Sequence, residues 1–197
     1  ITAIVQARMD STRLPGKTMK KVLGKPLIEL LLKRLSLSKK LKKIVVAIPH
    51  NRNNERLSKF LNKKKYNVFR GDPKNVLKRF YNAAKKNKCK IIVRITGDCP
   101  LIDAEIVDNL IEKLIRYKKD YVTNTFPPTF PDGLDVEVFT FKALKRCYKL
   151  ARSDYDKEHV TPFIKKSGKF SILNIKNITD LSEHRWTVDK YNDLKVI

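Results

Sequence analysis

The chain opens Ile1-Thr2-Ala3-Ile4-Val5-Gln6-Ala7 and continues Arg8-Met9-Asp10-Ser11-Thr12-Arg13-Leu14-Pro15-Gly16-Lys17. It then places Leu27, Ile28, Leu30, Leu31, Leu32 and Leu35 at near-helical spacing. A short apolar run, a polar loop with Pro and Gly, and an amphipathic stretch predict strand, loop and helix. The rhythm repeats. Residues 43–48 predict a second strand stopped by Pro49, residues 53–62 a helix, and residues 67–70 a short third strand. Asp72 and Pro73 read as the cap and first turn of a helix with Val76, Leu77, Phe80, Tyr81 and Ala84 on one stripe. Residues 90–96 form a β-branched run, a central strand ending in the turn Gly97-Asp98-Cys99-Pro100, after which Asp103 caps the next helix.

Further along, residues 120–124 predict a strand, and a Pro-rich loop at 125–133 leads to a half-buried strand at 134–139. Helices follow at 141–150 and 155–165, strands at 170–175 and 185–188, and a final helix from Asp189. Strands alternating with helices predict an α/β fold whose mixed, mostly parallel sheet is covered by helices on both faces. Ligands on such sheets sit beyond the C-terminal strand ends, so the loops at 8–17 and 97–103 are the first candidates for a site.

At 197 residues the chain fits one domain with one core. No stretch has the length of about 18 uncharged apolar residues that a membrane span requires, and the N-terminus lacks a signal core; the expectation is a cytoplasmic protein with no membrane partner. Cys89, Cys99 and Cys147 are widely spaced and form no metal-binding pattern, which fits reduced thiols. The formal charge of +24 would draw any polyanion. Its lysine clusters at 39–43, 63–65 and 85–88 have no interleaved aromatic residues, however, so they read as solvated surface and predict no specific nucleic-acid partner.

The loop at 8–17 carries three cations, two hydroxyls and one glycine after the first strand. Arginine offers planar paired donors and lysine a movable point charge, a combination that suits a polyphosphate. A P-loop is excluded, because that pattern needs glycine where this chain has Ser11, and Pro15 removes an amide. Asp98, in a turn at a strand end, is either an ordinary turn aspartate or a ligand for a magnesium ion bridging phosphate oxygens, a role that one or two carboxylates can fill. Asp189 suits the same role or that of a helix N-cap. Asp193, one turn on, reads as solvated. Asp135 and Glu137 share one strand face by alternation, either to receive sugar hydroxyls or as the solvent side of an edge strand. His159, in a helix, fits a general base at the acceptor or a surface position.

The opening motif Ile4-Val5-Gln6-Ala7-Arg8 with Ser11-Thr12-Arg13-Leu14-Pro15-Gly16-Lys17 resembles that of the acylneuraminate and deoxy-octulosonate cytidylyltransferases, in particular their spore coat polysaccharide biosynthesis protein F branch. The segments Arg94-Ile95-Thr96-Gly97-Asp98-Cys99-Pro100, Asp132-Gly133-Leu134-Asp135-Val136-Glu137, Glu158-His159-Val160-Thr161-Pro162 and Arg185-Trp186-Thr187-Val188-Asp189 extend the resemblance over nearly the whole chain. It implies a nucleotide-diphospho-sugar transferase, Rossmann-like fold in a single nucleotidyltransferase domain over residues 1–197. Members usually run further, which implies truncation at the C-terminus and a possible homodimer contact beyond it. The implied reaction uses CTP and Mg2+ to transfer CMP to a sugar acid or related polysaccharide precursor, releasing pyrophosphate. Ala7, Arg8, Arg13, Lys17 and Arg94 would bind the nucleotide, Arg8, Lys17 and Asp98 would be catalytic, and Asp98 and Asp189 would hold the metal. Asp135, Glu137 and His159 are the acceptor-side candidates. The rival readings are a transferase of similar fold using another nucleotide or a nucleotide-sugar donor, and a basic nucleic-acid-binding module.

Overall fold

The computed structural model describes residues 1–197. Its strands are β1 (Thr2–Gln6), β2 (Lys21–Val22), β3 (Lys25–Pro26), β4 (Lys43–Pro49), β5 (Asn67–Gly71), β6 (Ile91–Thr96), β7 (Tyr121–Thr123), β8 (Glu137–Thr140) and β9 (Ile172–Asn174). The helices are α1 (Leu27–Leu35), α2 (Glu55–Lys63), α3 (Val76–Lys86), α4 (Ala104–Arg116), α5 (Phe141–Leu150), α6 (Asp154–His159) and α7 (Pro162–Lys166). Seven strands form one sheet in the order β5-β4-β1-β6-β8-β7-β9, and β2 and β3 make a separate hairpin. Neighbours run parallel except β8, which is antiparallel to both β6 and β7. The expected mixed, mostly parallel architecture is the one observed.

Period-2 alternation divides the core between the two faces of the sheet. Ala3 and Val5, Val93 and Ile95, and Val138 pack with Ile28, Leu31, Leu57, Leu61, Val107 and Leu110 from α1, α2 and α4. Ile4, Ile92 and Phe139 point the other way, against Leu77, Phe80, Ala83, Leu144, Cys147 and Ile164 from α3, α5 and α7. Strands this apolar on both sides require a helical cover on each face, which the alternating sequence supplies. No helix is long and apolar enough to cross a membrane.

Several local expectations are corrected. The cap of α3 is Asn75, whose side chain accepts from the Lys78 N–H at 2.8 Å; Asp72 instead accepts from the N–H groups of Lys74 and Asn75 in the preceding turn. The single helix expected at 155–165 breaks at Val160, whose φ is 72°, because Pro162 has no N–H to continue the ladder and starts a new helix. The strand expected at 134–139 begins only at Glu137: the Asn124 amide takes the Val136 N–H and the Leu134 carbonyl, standing in for a strand partner. It also lies inside the sheet, so Glu137 is buried and the edge-strand reading falls.

The corrections near the C-terminus shape the candidate site. Residues 185–188 form no strand; they are stitched to two distant turns, with Trp186 N–H donating to the Asp132 carbonyl and Val188 N–H to that of Asp98. Gly133 makes this possible. It has a φ of +113°, and a Cβ there would meet Trp186 and Thr187 backbone atoms at 2.6 Å. No helix starts at Asp189. Asp193, expected to be solvated, turns its carboxylate back onto the N–H groups of Asp189 and Lys190 at 2.7 and 2.8 Å.

Candidate active site

The loop after β1 is held from beneath by its own backbone and by the turn after β4. Thr18 Oγ1 donates to the Arg8 carbonyl, Met9 N–H donates to Asn54 Oδ1, and Asp10 accepts from the side-chain amides of Asn51, Asn53 and Asn54. Buried Leu14 anchors the middle of the loop in a small cluster with Leu27 and Val188. The cationic side chains are thus left at the C-terminal ends of the parallel strands.

Lys17 is the centre of the arrangement. Its ammonium donates to Asp98 Oδ2 at 2.9 Å, Asp189 Oδ1 at 2.8 Å and the Val188 carbonyl at 2.9 Å, using all three of its protons. These partners are 81 and 172 residues from it in sequence for the two carboxylates. Arg13 and Arg185 both reach Asp189 Oδ2 at 2.9 Å, and Arg185 also pairs with Asp132 at 2.6 Å and Asp193 at 3.5 Å. Burial opposes ionisation of Asp98, but Lys17 and Thr96 outweigh it and hold the carboxyl below its ordinary range. Asp132 shifts the other way: burial raises it, and its carboxylate neighbours Asp189, Asp98 and Asp193 add to what Arg185 only partly offsets.

Ala7, Arg8, Arg13, Lys17, Asp98 and Asp189 line one open cleft. The same three acceptor oxygens that hold the Lys17 ammonium define where a small hard cation would sit. No group of three or more His, Cys, Asp or Glu accompanies them, so the protein offers part of a coordination shell and substrate oxygens must complete it. That donor set fits magnesium, which takes one or two carboxylates together with phosphates.

A second cavity adjoins the first, with Thr96 in both walls, and is lined by Arg94, Thr125, Asp135, Glu137 and Lys165. Arg94, expected at the nucleotide, lines this second cavity. The β6–β8 register sets it opposite Glu137, to which its guanidinium is bonded, and it also donates to Gln6 Oε1 at 3.0 and 3.2 Å. Glu137 is saturated, accepting from Tyr121, Thr161, Arg94 and, at 3.0 Å, Lys165. Burial would raise its pKa, but Arg94 and Lys165 lower it to about 2. Asp135 is only partly compensated, by Lys165: burial, then Asp132 and Glu137, push it up to about 6. The break at Val160 separates His159 from this cavity. Thr161 is turned inward to Glu137, while exposed His159 lines the first cleft and packs at a tilt against Tyr155.

The sequence model of the cytidylyltransferase family matches residues 2–185, which contain the loop, Asp98 and the Asp135–Glu137 cavity. The chain belongs to the cytidylyltransferase family. This cytidylyltransferase is 39% identical over 199 residues to protein MJ1063 of Methanocaldococcus jannaschii, covering 100% of the chain and 81% of the relative. It is 30% identical over 205 residues to the spore coat polysaccharide biosynthesis protein SpsF of Bacillus subtilis, covering 100% and 84%. The solved structure of a cytidylyltransferase from Leptospira borgpetersenii superposes with a TM-score of 0.93 at 34% identity, covering 97% of this chain and 82% of that one. The candidate site also has neighbouring residues that spacing alone did not single out. Asp132, Arg185 and Lys165 have only local signals, the clearest being the four-residue step from Arg185 to Asp189, which became an ion pair.

Proposed function

We propose that the protein transfers CMP from CTP to a hydroxyl of a sugar acid or related polysaccharide precursor, releasing pyrophosphate. The observation that carries this reading is the meeting of Lys17, Asp98 and Asp189 at the mouth of the family loop. In the transfer the acceptor hydroxyl gives up its proton, to Asp135 or to water, and its oxygen forms a bond to the α-phosphorus as the bond to the β-phosphate oxygen breaks, so that negative charge moves onto the departing pyrophosphate. Magnesium held by Asp98 and Asp189 would neutralise phosphate oxygens during that displacement. Arg8, Arg13 and Lys17 supply fixed positive charge along the polyphosphate, and Lys17 exchanges carboxylate partners for phosphate when the nucleotide enters. Asp135, which faces the second cavity, is the carboxylate available to an acceptor hydroxyl, while Glu137 orients Arg94 and Lys165. His159 stands at the cleft between α6 and the loop, where it can meet the phosphates or the acceptor. Action in the cytoplasm and assembly as a homodimer belong to the same proposal and are read by fractionation and by sedimentation.

Pyrophosphate release from CTP, with magnesium and a panel of sugar acids, tests this directly. We expect Asp98→Asn and Asp189→Asn each to lose at least about a hundredfold in turnover with little change in ligand-free melting temperature, because Asn keeps the size and turn preference but not the charge. Full activity in Asp189→Asn would remove the two-carboxylate site. Equal stabilisation of the wild type by CTP, GTP and ATP would remove the nucleotide assignment.

A further inference from the structure

Every strand of the main sheet except β8 points the same way, so the helices that cross back over it return the chain to one pole, opposite the cleft. Four segments arrive there. Residues 39–43, 63–65, 85–90 and 116–119 carry the chain from a helix end into the starts of β4, β5, β6 and β7. Apart from Leu41, Asn87, Cys89 and Tyr117, every residue in them is Lys or Arg. A helix C-terminus attracts cations only within its last turn, and Lys42, Lys43, Lys88 and Lys90 lie past the helices. Backbone geometry sharpens the point. Lys65, Lys88 and Lys118, each one residue beyond the cap of α2, α3 or α4, have φ of 60°, 51° and 50°, the left-handed position that glycine fills without strain. The same cation stands at three equivalent, strained positions on one pole.

The carboxylates nearest this pole are already engaged. Asp108 accepts from the Ser38 hydroxyl and from the Lys39 and Lys40 N–H groups, Glu112 pairs with Lys40 at 3.6 Å, and Asp120 accepts from the N–H and hydroxyl of Ser171. The same contacts fasten the end of α1 to α4, and there Leu37, Ile115 and Tyr117 are 71%, 53% and 49% exposed. A broad cationic face with a few exposed apolar groups suits an anionic lipid surface, where headgroups meet the lysines and the apolar groups enter the interface. A single-stranded nucleic acid would need open aromatic platforms instead. Tyr117 is the one aromatic residue in the four segments, and its ring already has Lys113 and Arg116 against it, at 5.8 and 5.7 Å.

We propose that this pole docks the protein reversibly on an anionic lipid bilayer, with the cleft turned away and open to soluble nucleotide. A surface contact of this kind replaces the expectation of no membrane partner, which rested on the absence of a spanning segment. The measurement is co-sedimentation with vesicles of phosphatidylcholine alone and with vesicles in which phosphatidylglycerol replaces about a third of it. The wild type should bind the second and not the first. The decisive variant is the triple Lys65→Gly, Lys88→Gly, Lys118→Gly, which removes three charges while giving each left-handed position the residue it favours, so the fold is kept. It should lose about a hundredfold in vesicle affinity, roughly fivefold per cation, with an unchanged melting temperature and unchanged pyrophosphate release. The control triple Lys25→Gly, Lys59→Gly, Lys176→Gly removes the same charge from exposed positions away from the pole and should lose less than about threefold. The double variant Leu37→Ser, Tyr117→Ser keeps every charge and should weaken vesicle binding as well, which carries the test should the glycine triple fail to fold. Equal losses in the two triples would reduce the effect to net charge and overturn the proposal. So would wild-type binding to neither vesicle or to both alike, full vesicle binding by the polar triple, or tighter binding of duplex DNA than of phosphatidylglycerol vesicles at physiological salt. None of these outcomes touches the transfer reading, which is scored by pyrophosphate release.

Discussion

At Lys17, one ammonium satisfies two carboxylates that would otherwise repel each other across the cleft, and this gives the residue two measurable roles. With the nucleotide it supplies charge to phosphate; without it, it occupies the position a metal needs. Lys17→Met should therefore weaken CTP binding by about one to two decades, the worth of a charge-assisted hydrogen bond, yet strengthen binding of manganese alone to the free protein. Paramagnetic titration of free manganese reads the second effect, and unchanged or weaker metal binding in the variant would refute the exchange. Asp135 gives a pH-dependent counterpart. Its folded pKa, about 6, lies above the ordinary 3.8, so its protonation stabilises the fold at low pH and that contribution is lost as pH rises through about 6. Asp135→Asn should then raise the melting temperature at pH 8, by on the order of 2 kcal/mol in stability, and change little at pH 4, while impairing turnover. Thermal scans across pH check this; a gain of the same size at both pH values would contradict it. Most of these residues were legible as residue types. Asp98 was legible as a turn carboxylate at a strand end, but the partners of Arg94 were not, because Glu137 faces it only through the register of two strands far apart in sequence.

Elements were legible where one pattern ran unopposed. The cap at Asp103 is as expected, its carboxylate accepting from Glu105 and Ile106 N–H at 2.7 and 3.1 Å, because the only nearby acceptor sits immediately before the apolar stripe. At α3 two acceptors competed, and Asn75 took the cap because Asp72 was already closing the turn that Pro73 begins. The stretch at 185–188 has strand-like residues but pairs with no strand; the N–H groups of Trp186 and Val188 go to the Asp132 and Asp98 turns. This seam places Asp189, and Gly133 is its narrowest point. Gly133→Ala should lower stability by roughly 2 kcal/mol or more, since the added methyl meets backbone and the positive φ strains any side chain. It should also lower metal-dependent turnover beyond what the fraction unfolded accounts for. A variant with wild-type melting temperature and activity would show that the seam can shift at no cost.

Across the whole molecule, the surplus of 44 basic over 20 acidic residues is the feature least explained by the site, which uses only a few of those cations. If the remainder is solvated surface, duplex DNA should bind weakly and without sequence preference, its affinity falling by two or more decades between about 50 and 200 mM salt through counterion release. Tight, sequence-selective binding at physiological salt, measured by fluorescence anisotropy, would revive a nucleic-acid role. The sequence by itself determined the succession of strands and helices, the two-sided burial of the sheet and the cationic loop after β1. Each of these depends on residues within a few positions of one another, through backbone periodicity and turn chemistry. Only the tertiary structure decided that β8 enters antiparallel between β6 and β7, that Asp193 fastens the backbone at Asp189, and that Lys17 lies between Asp98 and Asp189. Those outcomes depend on strand pairing, on charge compensation inside a closed core and on which distant turn offers a free acceptor. Their energies exist only once the chain has brought the partners together.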